Sequence, residues 1–147
     1  MLPRWHIAFG AVFTFIIWVI FPNTNPSYLA LVFLSSFLID LDHYLQAFFH
    51  TKHLSLFEAF EYYKILEKRE LENYKKGIRK KGDFHVFHTI EFHLLIAILG
   101  TYFTIFSYIF LGMFFHSILD FADMAKRNRL YTREYFFFNW LRKKYFS

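Results

Sequence analysis

Cysteine is absent from this chain, which excludes a disulfide framework and any thiolate metal site. Positive charge is missing from two long regions: no Lys or Arg falls between Trp5 and Thr51 or between Phe84 and Ala125. Proline is scarce, and two of the three prolines lie together in the breaker Pro22-Asn23-Thr24-Asn25-Pro26. No nucleic-acid recognition motif is present, so a net charge of +5 needs another explanation than phosphate-backbone binding, and no nucleic-acid partner is expected.

What fills the chain is apolar. Hydrophobic residues make up 56% and aromatics 24%, with 23 Phe, more than a soluble domain of 147 residues can hide from water. Four stretches approach the roughly 20 apolar residues that a membrane-spanning helix needs. They predict helices at about 5–21, 27–49, 84–102 and 106–125, arranged as two hairpins, the second turning near Gly100 to Tyr108. The fold class expected is an all-α membrane protein, a single four-helix transmembrane domain over 1–147. The first apolar run is too long for a signal-peptide core and lacks a small-residue cleavage pattern, so it reads as a retained helix.

The basic residues then orient the spans. Lys52 to Lys81 carries nine of them and Lys126 to Lys144 seven, with Arg4 the last. By the positive-inside rule both termini and the loop 51–83 are expected on the cytoplasmic side of the cytoplasmic (inner) membrane, in contact with anionic lipid. Within that loop Leu56, Phe60, Tyr63 and Leu66 recur at helical spacing, which predicts an amphipathic helix on the membrane surface or over the site. The tail 126–147 alternates aromatic and basic residues and reads as an interfacial anchor with no chemistry of its own.

Ionisable residues gather at one level of all four predicted helices. His6 opens the first; Asp40, Asp42 and His43 close the second; His85, His88 and Glu91 open the third; His116, Asp120 and Asp123 close the fourth. Residues three or four apart share a helix face, so Asp40 groups with His43, His88 with Glu91, and His116 with Asp120 and Asp123. Asp42 lies off the Asp40 face, which suits a second metal, an outer-shell role, or a helix end that unwinds. His93 points away from His88, Asp123 has Lys126 and Arg127 as competing partners, and His50 and His53 read as structural.

Carboxylates collected at the edge of hydrocarbon cost several kcal/mol unless neutralised, which predicts one or two bound divalent metal ions. Imidazole and carboxylate without thiolate favour zinc, with manganese or iron as alternatives. The expected ligands are His6, Asp40, Asp42, His43, His88, Glu91, His116 and Asp120, with His85, His93 and Asp123 as weaker candidates. Asp42 and Glu91 are the expected proton acceptors.

His6, the segment IDLDHY, the segment FHTIEFH and the segment HSILD together resemble the YdjM-like family of membrane-bound, metal-dependent hydrolases, over nearly the whole chain apart from the middle loop and the tail. Asp40-x-Asp42-His43 and His116-x-x-x-Asp120 match the family pattern and His6 matches in position. The third segment lacks the family's His-Arg-Gly-type start, leaving His85, His88, Glu91 and His93 as alternatives for its ligand. The resemblance implies a hydrolase, and a site level with headgroups implies a phosphoester of a lipid or other membrane-associated substrate. A metal-binding transporter and a non-catalytic metal-stabilised scaffold are the alternatives. A permeation route is disfavoured by the near absence of polar groups along the spans, with Ser35 and Ser36 the only ones midway in the second.

Overall fold

The computed structural model describes residues 3–146, so residues 1, 2 and 147 of the expected domain lie outside it. Every regular element among the described residues is helical. α1 is Pro3–Ile20, α2 Pro26–Leu38, α3 Leu41–Thr51, α4 Leu56–Lys75, α5 Ile90–Tyr102, α6 Thr104–Lys126 and α7 Phe137–Phe146. Short 3-10 turns cover Val86–His88 and Leu130–Thr132.

The breaker after α1 works as its residues dictate. Asn25 caps α2 by accepting a hydrogen bond from Ser27 N at 2.9 Å, and Pro26, whose missing N–H costs nothing in a first turn, opens the helix. The expected second helix is divided into α2 and α3 at Ile39–Asp40. No Pro or Gly marks this break. The N–H of Asp40 donates to Phe37 O at 3.2 Å, three residues back, instead of reaching Ser36 O four back.

The third helix begins at Ile90, not near Phe84. Thr89 caps it by accepting from Phe92 N at 3.3 Å, and residues 84–89 form an irregular approach with one 3-10 turn. At 13 residues α5 is about 20 Å long, shorter than the hydrocarbon thickness of about 30 Å. Among the described residues two helical stretches are long and apolar enough to cross a membrane: Pro26–Thr51, which contains the break, and Thr104–Lys126.

α2 packs chiefly on α6 and α1, and small residues let the backbones close up. A Cβ on Gly112 of α6 would run into Val32 O and Ser35 Oγ of α2, and one on Gly10 of α1 into Ser36 Oγ. Ser35 and Ser36 are therefore packing notches, their hydroxyls turned back onto carbonyls of their own helix at 2.7 Å. Phe13 stacks on Phe115 at 4.0 Å and Tyr28 on Tyr108 at 4.6 Å, fixing α1 and α2 against α6.

The interior is polar and the outside apolar. Among the described residues five hydrophobic side chains are buried against nine polar or charged ones, while Val12, Phe15, Trp18, Leu94, Ile98 and Phe114 stand exposed. Exposed apolar surface of that extent favours contact with something other than water.

Candidate metal centre

The buried polar groups converge where α1, the α2–α3 break, the Val86–His88 turn and α6 meet. Asp40, His88, His116 and Asp120 each bring one ligand atom to within 4.8 Å of the others. A tetrahedral cation with bonds of about 2.1 Å requires ligand–ligand edges of about 3.4 Å. Here His88 Nε2 lies 3.2 Å from His116 Nε2, Asp40 Oδ1 lies 3.5 and 3.4 Å from those two nitrogens, and Asp120 Oδ2 lies 3.9 and 3.5 Å from them. These are the edges of a site sized for a metal ion.

The tautomers agree. His116 Nδ1 lies 2.9 Å from Ser36 O, a carbonyl that can only accept, so this nitrogen carries a proton and in the neutral imidazole Nε2 presents a lone pair. The α2–α3 break is what leaves Ser36 O available. His88 Nδ1 lies 3.1 Å from Asp42 Oδ2, which also accepts from Phe87 N at 3.0 Å, so its Nε2 likewise faces the cluster as a lone pair. Two lone pairs 3.2 Å apart repel unless a proton or a metal ion stands between them, and a carboxylate or carbonyl behind each imidazole is how metal-bound histidines are oriented.

His6 packs beside these four. Its ring stacks on His116 at 3.9 Å, both ring nitrogens are buried with no hydrogen-bond partner among the described residues, and Nε2 lies 3.1 Å from Asp120 Oδ1. Those unsatisfied nitrogens fit a metal-binding role.

A second grouping brings Asp42, His43 and His88 together. His43 Nε2 is 3.6 Å from Asp40 Oδ1, and its ring lies 3.7 Å from that of His85. Burial, against the pull of the Asp42 carboxylate, brings the His85 imidazole down to about 4, so it is neutral near pH 7. Tyr63 of α4 donates to His43 O at 2.8 Å, and burial together with the nearby Asp83 pushes its phenol up, keeping it a donor.

Three expected residues are drawn elsewhere. Glu91 accepts from Phe137 N at 2.9 Å and Phe138 N at 3.4 Å, capping α7. It shares no helix face with His88, because His88 lies in the 3-10 turn before α5 begins. His93 bridges Thr89 O at 3.0 Å and Ser117 Oγ at 2.9 Å, tying α5 to α6. Asp123 pairs with Arg127 at 3.1 Å. Outside the helical faces, His53 lies 3.4 Å from Glu58 and His50 bonds Gln46 at 3.2 Å.

One contributor was missed. Arg133, in the tail expected to carry no chemistry, places Nη2 2.7 Å from Asp120 Oδ2. The tail is folded back onto the approach to α5 by Gly82 N to Thr132 O at 2.7 Å, Ile90 N to Tyr135 O at 2.9 Å, and Phe84 stacked on Trp140 at 4.1 Å.

A cleft of about 830 Å³ opens beside the cluster, with Asp40, His43, His85 and Asp120 among its lining residues. Phe37, Leu38 and Leu41 wall one side, and Leu56, Phe60, Tyr63 and Leu66, the stripe expected on the middle helix, wall another. Arg127, Arg129 and Arg133 line it as well; Glu67 holds Arg127 and Arg129 at 3.2 Å each, and Glu70 also bonds Arg129. Asp42 does not line the cleft, so neither expected proton acceptor faces it. No family model, curated protein or solved structure matches the chain.

Proposed function

We propose that this chain is a membrane-embedded, metal-dependent hydrolase that cleaves a phosphoester of a lipid or other membrane-associated substrate at the cytoplasmic face of the inner membrane. The observation that carries the reading is the cleft: two carboxylates of the ligand cluster, Asp40 and Asp120, line it together with His43 and His85, apolar side chains and three arginines. An apolar tail and an anionic headgroup need those two kinds of surface side by side. The apolar exterior supports four membrane-embedded helical segments, and the Lys/Arg distribution supports the orientation with both termini cytoplasmic. The resemblance to YdjM-like hydrolases points the same way.

A zinc, manganese or iron ion in the centre would supply Lewis acidity toward a phosphoryl oxygen and lower the pKa of water from about 15.7 toward roughly 7. The chain's own residues do the rest. Asp42 and Ser36 O hold His88 and His116 with Nε2 toward the cluster, Arg133 fixes Asp120, and the α4 stripe gives the cleft an apolar wall.

The test is metal analysis of the detergent-purified protein followed by a hydrolysis screen over lipid and soluble phosphoesters. Expected is turnover that a chelator abolishes and that His116→Ala lacks. A fully loaded protein inactive on the whole panel would favour the scaffold reading, in which the ion only ties α1, the α2–α3 break, the 86–88 turn and α6 together.

A further inference from the structure

Beside the first cluster lie two buried polar atoms that nothing satisfies. Asp42 Oδ1 and His85 Nδ1 have no hydrogen-bond partner among the described residues and stand 3.8 Å apart. Both residues are more than nine-tenths buried. The other oxygen of Asp42 is committed to Phe87 N and His88 Nδ1, so the carboxylate cannot turn to relieve the gap without releasing both.

The length of the gap discriminates between occupants. It exceeds the roughly 3.2 Å limit of an N–H···O bond. It is too short for a bridging water, since two hydrogen bonds of about 2.8 Å meeting at a tetrahedral angle span about 4.6 Å. A cation with bonds of about 2.1 Å spans about 3.4 Å at the tetrahedral angle and about 4.2 Å in a straight line, which brackets the observed distance. His43 is the nearest further donor: it groups with Asp42 and His88, and its ring lies 3.7 Å from that of His85. Asp40 Oδ1, an edge of the first site, is 3.6 Å from His43 Nε2, so one carboxylate lies between the two positions.

We propose that a second divalent transition-metal ion binds between Asp42 Oδ1, His85 Nδ1 and the His43 imidazole, making the centre dinuclear. This rests on the reading of the Asp40–His88–His116–Asp120 cluster as a metal site. His85 and His43 line the cleft, so the second ion borders it. Asp42 then has two separate duties: one oxygen orients His88 for the first ion and the other binds the second.

The experiment is metal stoichiometry on the full chain purified in detergent and reloaded with zinc, for the wild type, His85→Ala and His116→Ala. Two equivalents in the wild type falling to one in His85→Ala supports the proposal. One equivalent in both overturns the second site and leaves the first standing; two in both overturns it as well, because the ion would then lie elsewhere. No metal in the wild type removes both readings. Should His85→Ala fail to fold, manganese(II) loading of the wild type alone decides: two equivalents with spin-coupled paramagnetic resonance support the pair, and an isolated six-line signal at full loading overturns it.

Discussion

Asp42→Asn is the substitution that most directly tests how the first metal site is built. In the native centre Asp42 Oδ2 accepts from Phe87 N at 3.0 Å and His88 Nδ1 at 3.1 Å. An asparagine oxygen can keep both bonds in the same space, so shape and packing survive and only the charge is lost. A charge-assisted bond is roughly twice as strong as a neutral one, and loss of an outer carboxylate behind a metal-bound histidine weakens metal binding about 10- to 100-fold, or about 1.4–2.7 kcal/mol. Removing an inner ligand, as in His116→Ala, leaves three of four donors and should weaken binding by considerably more. The assay is zinc competition against a chromophoric chelator in detergent, performed on a His85→Ala background so that only the first site titrates. The expected order of affinity is the background alone, then Asp42→Asn, then His116→Ala. Asp42→Asn binding as tightly as the background would refute the orienting role, and binding as weakly as His116→Ala would make Asp42 an inner ligand instead.

Glu91→Gln should leave metal content unchanged and loosen α7, costing about 0.3–1 kcal/mol of local stability because an anion at a helix N-terminus is lost; faster tryptic cleavage within the tail would show it, and loss of metal would return Glu91 to the centre. Arg133→Gln should lower the Tm of the metal-free protein more than that of the loaded protein, since a bound cation neutralises the same Asp120 carboxylate; equal falls would reduce Arg133 to a tail anchor. Single cysteines at Asn23 and Tyr102 should react with an impermeant thiol reagent from outside the cell, and one at Lys76 only after permeabilisation; the reverse pattern would invert the orientation.

Hydropathy and charge alone reveal most of the helices and the set of groups that meet between them, because a span must be apolar and a carboxylate beside hydrocarbon must find a partner. The pairing of His116 with Asp120 is legible too, since both lie on one face of the unbroken α6. Reasoning by helix face fails where the helix stops. The spacing of His88 and Glu91 would unite them only inside a helix, and α5 starts between them, at a threonine cap that the apolar pattern does not mark. Likewise, nothing in Ile39-Asp40 announces a break, as neither residue is Pro or Gly. That break releases Ser36 O to His116, while Asp42 still parts from Asp40 as its spacing predicts, meeting His88 at Nδ1 where Asp40 faces Nε2.

Arg133 is the hardest case, because it reaches Asp120 through a chain reversal and not along a helix. Charge still asks for it. Asp40, Asp42 and Asp120 bring three negative charges to the centre, and one divalent ion leaves one of them over. A buried excess of that kind is costly, and a single guanidinium, folded in from the tail, brings the sum to neutrality. The same reasoning bears on the second ion. With Arg133 in place and two divalent cations bound, the group carries two positive charges more than Asp40, Asp42 and Asp120 balance. Such a centre is electrostatically incomplete until an anion enters, and an entering phosphoester is the ligand whose charge would complete it. A dinuclear centre should therefore bind inorganic phosphate more tightly than the His85→Ala protein does. Equal affinity in the two would mean that the second ion, if present, does not face the anion.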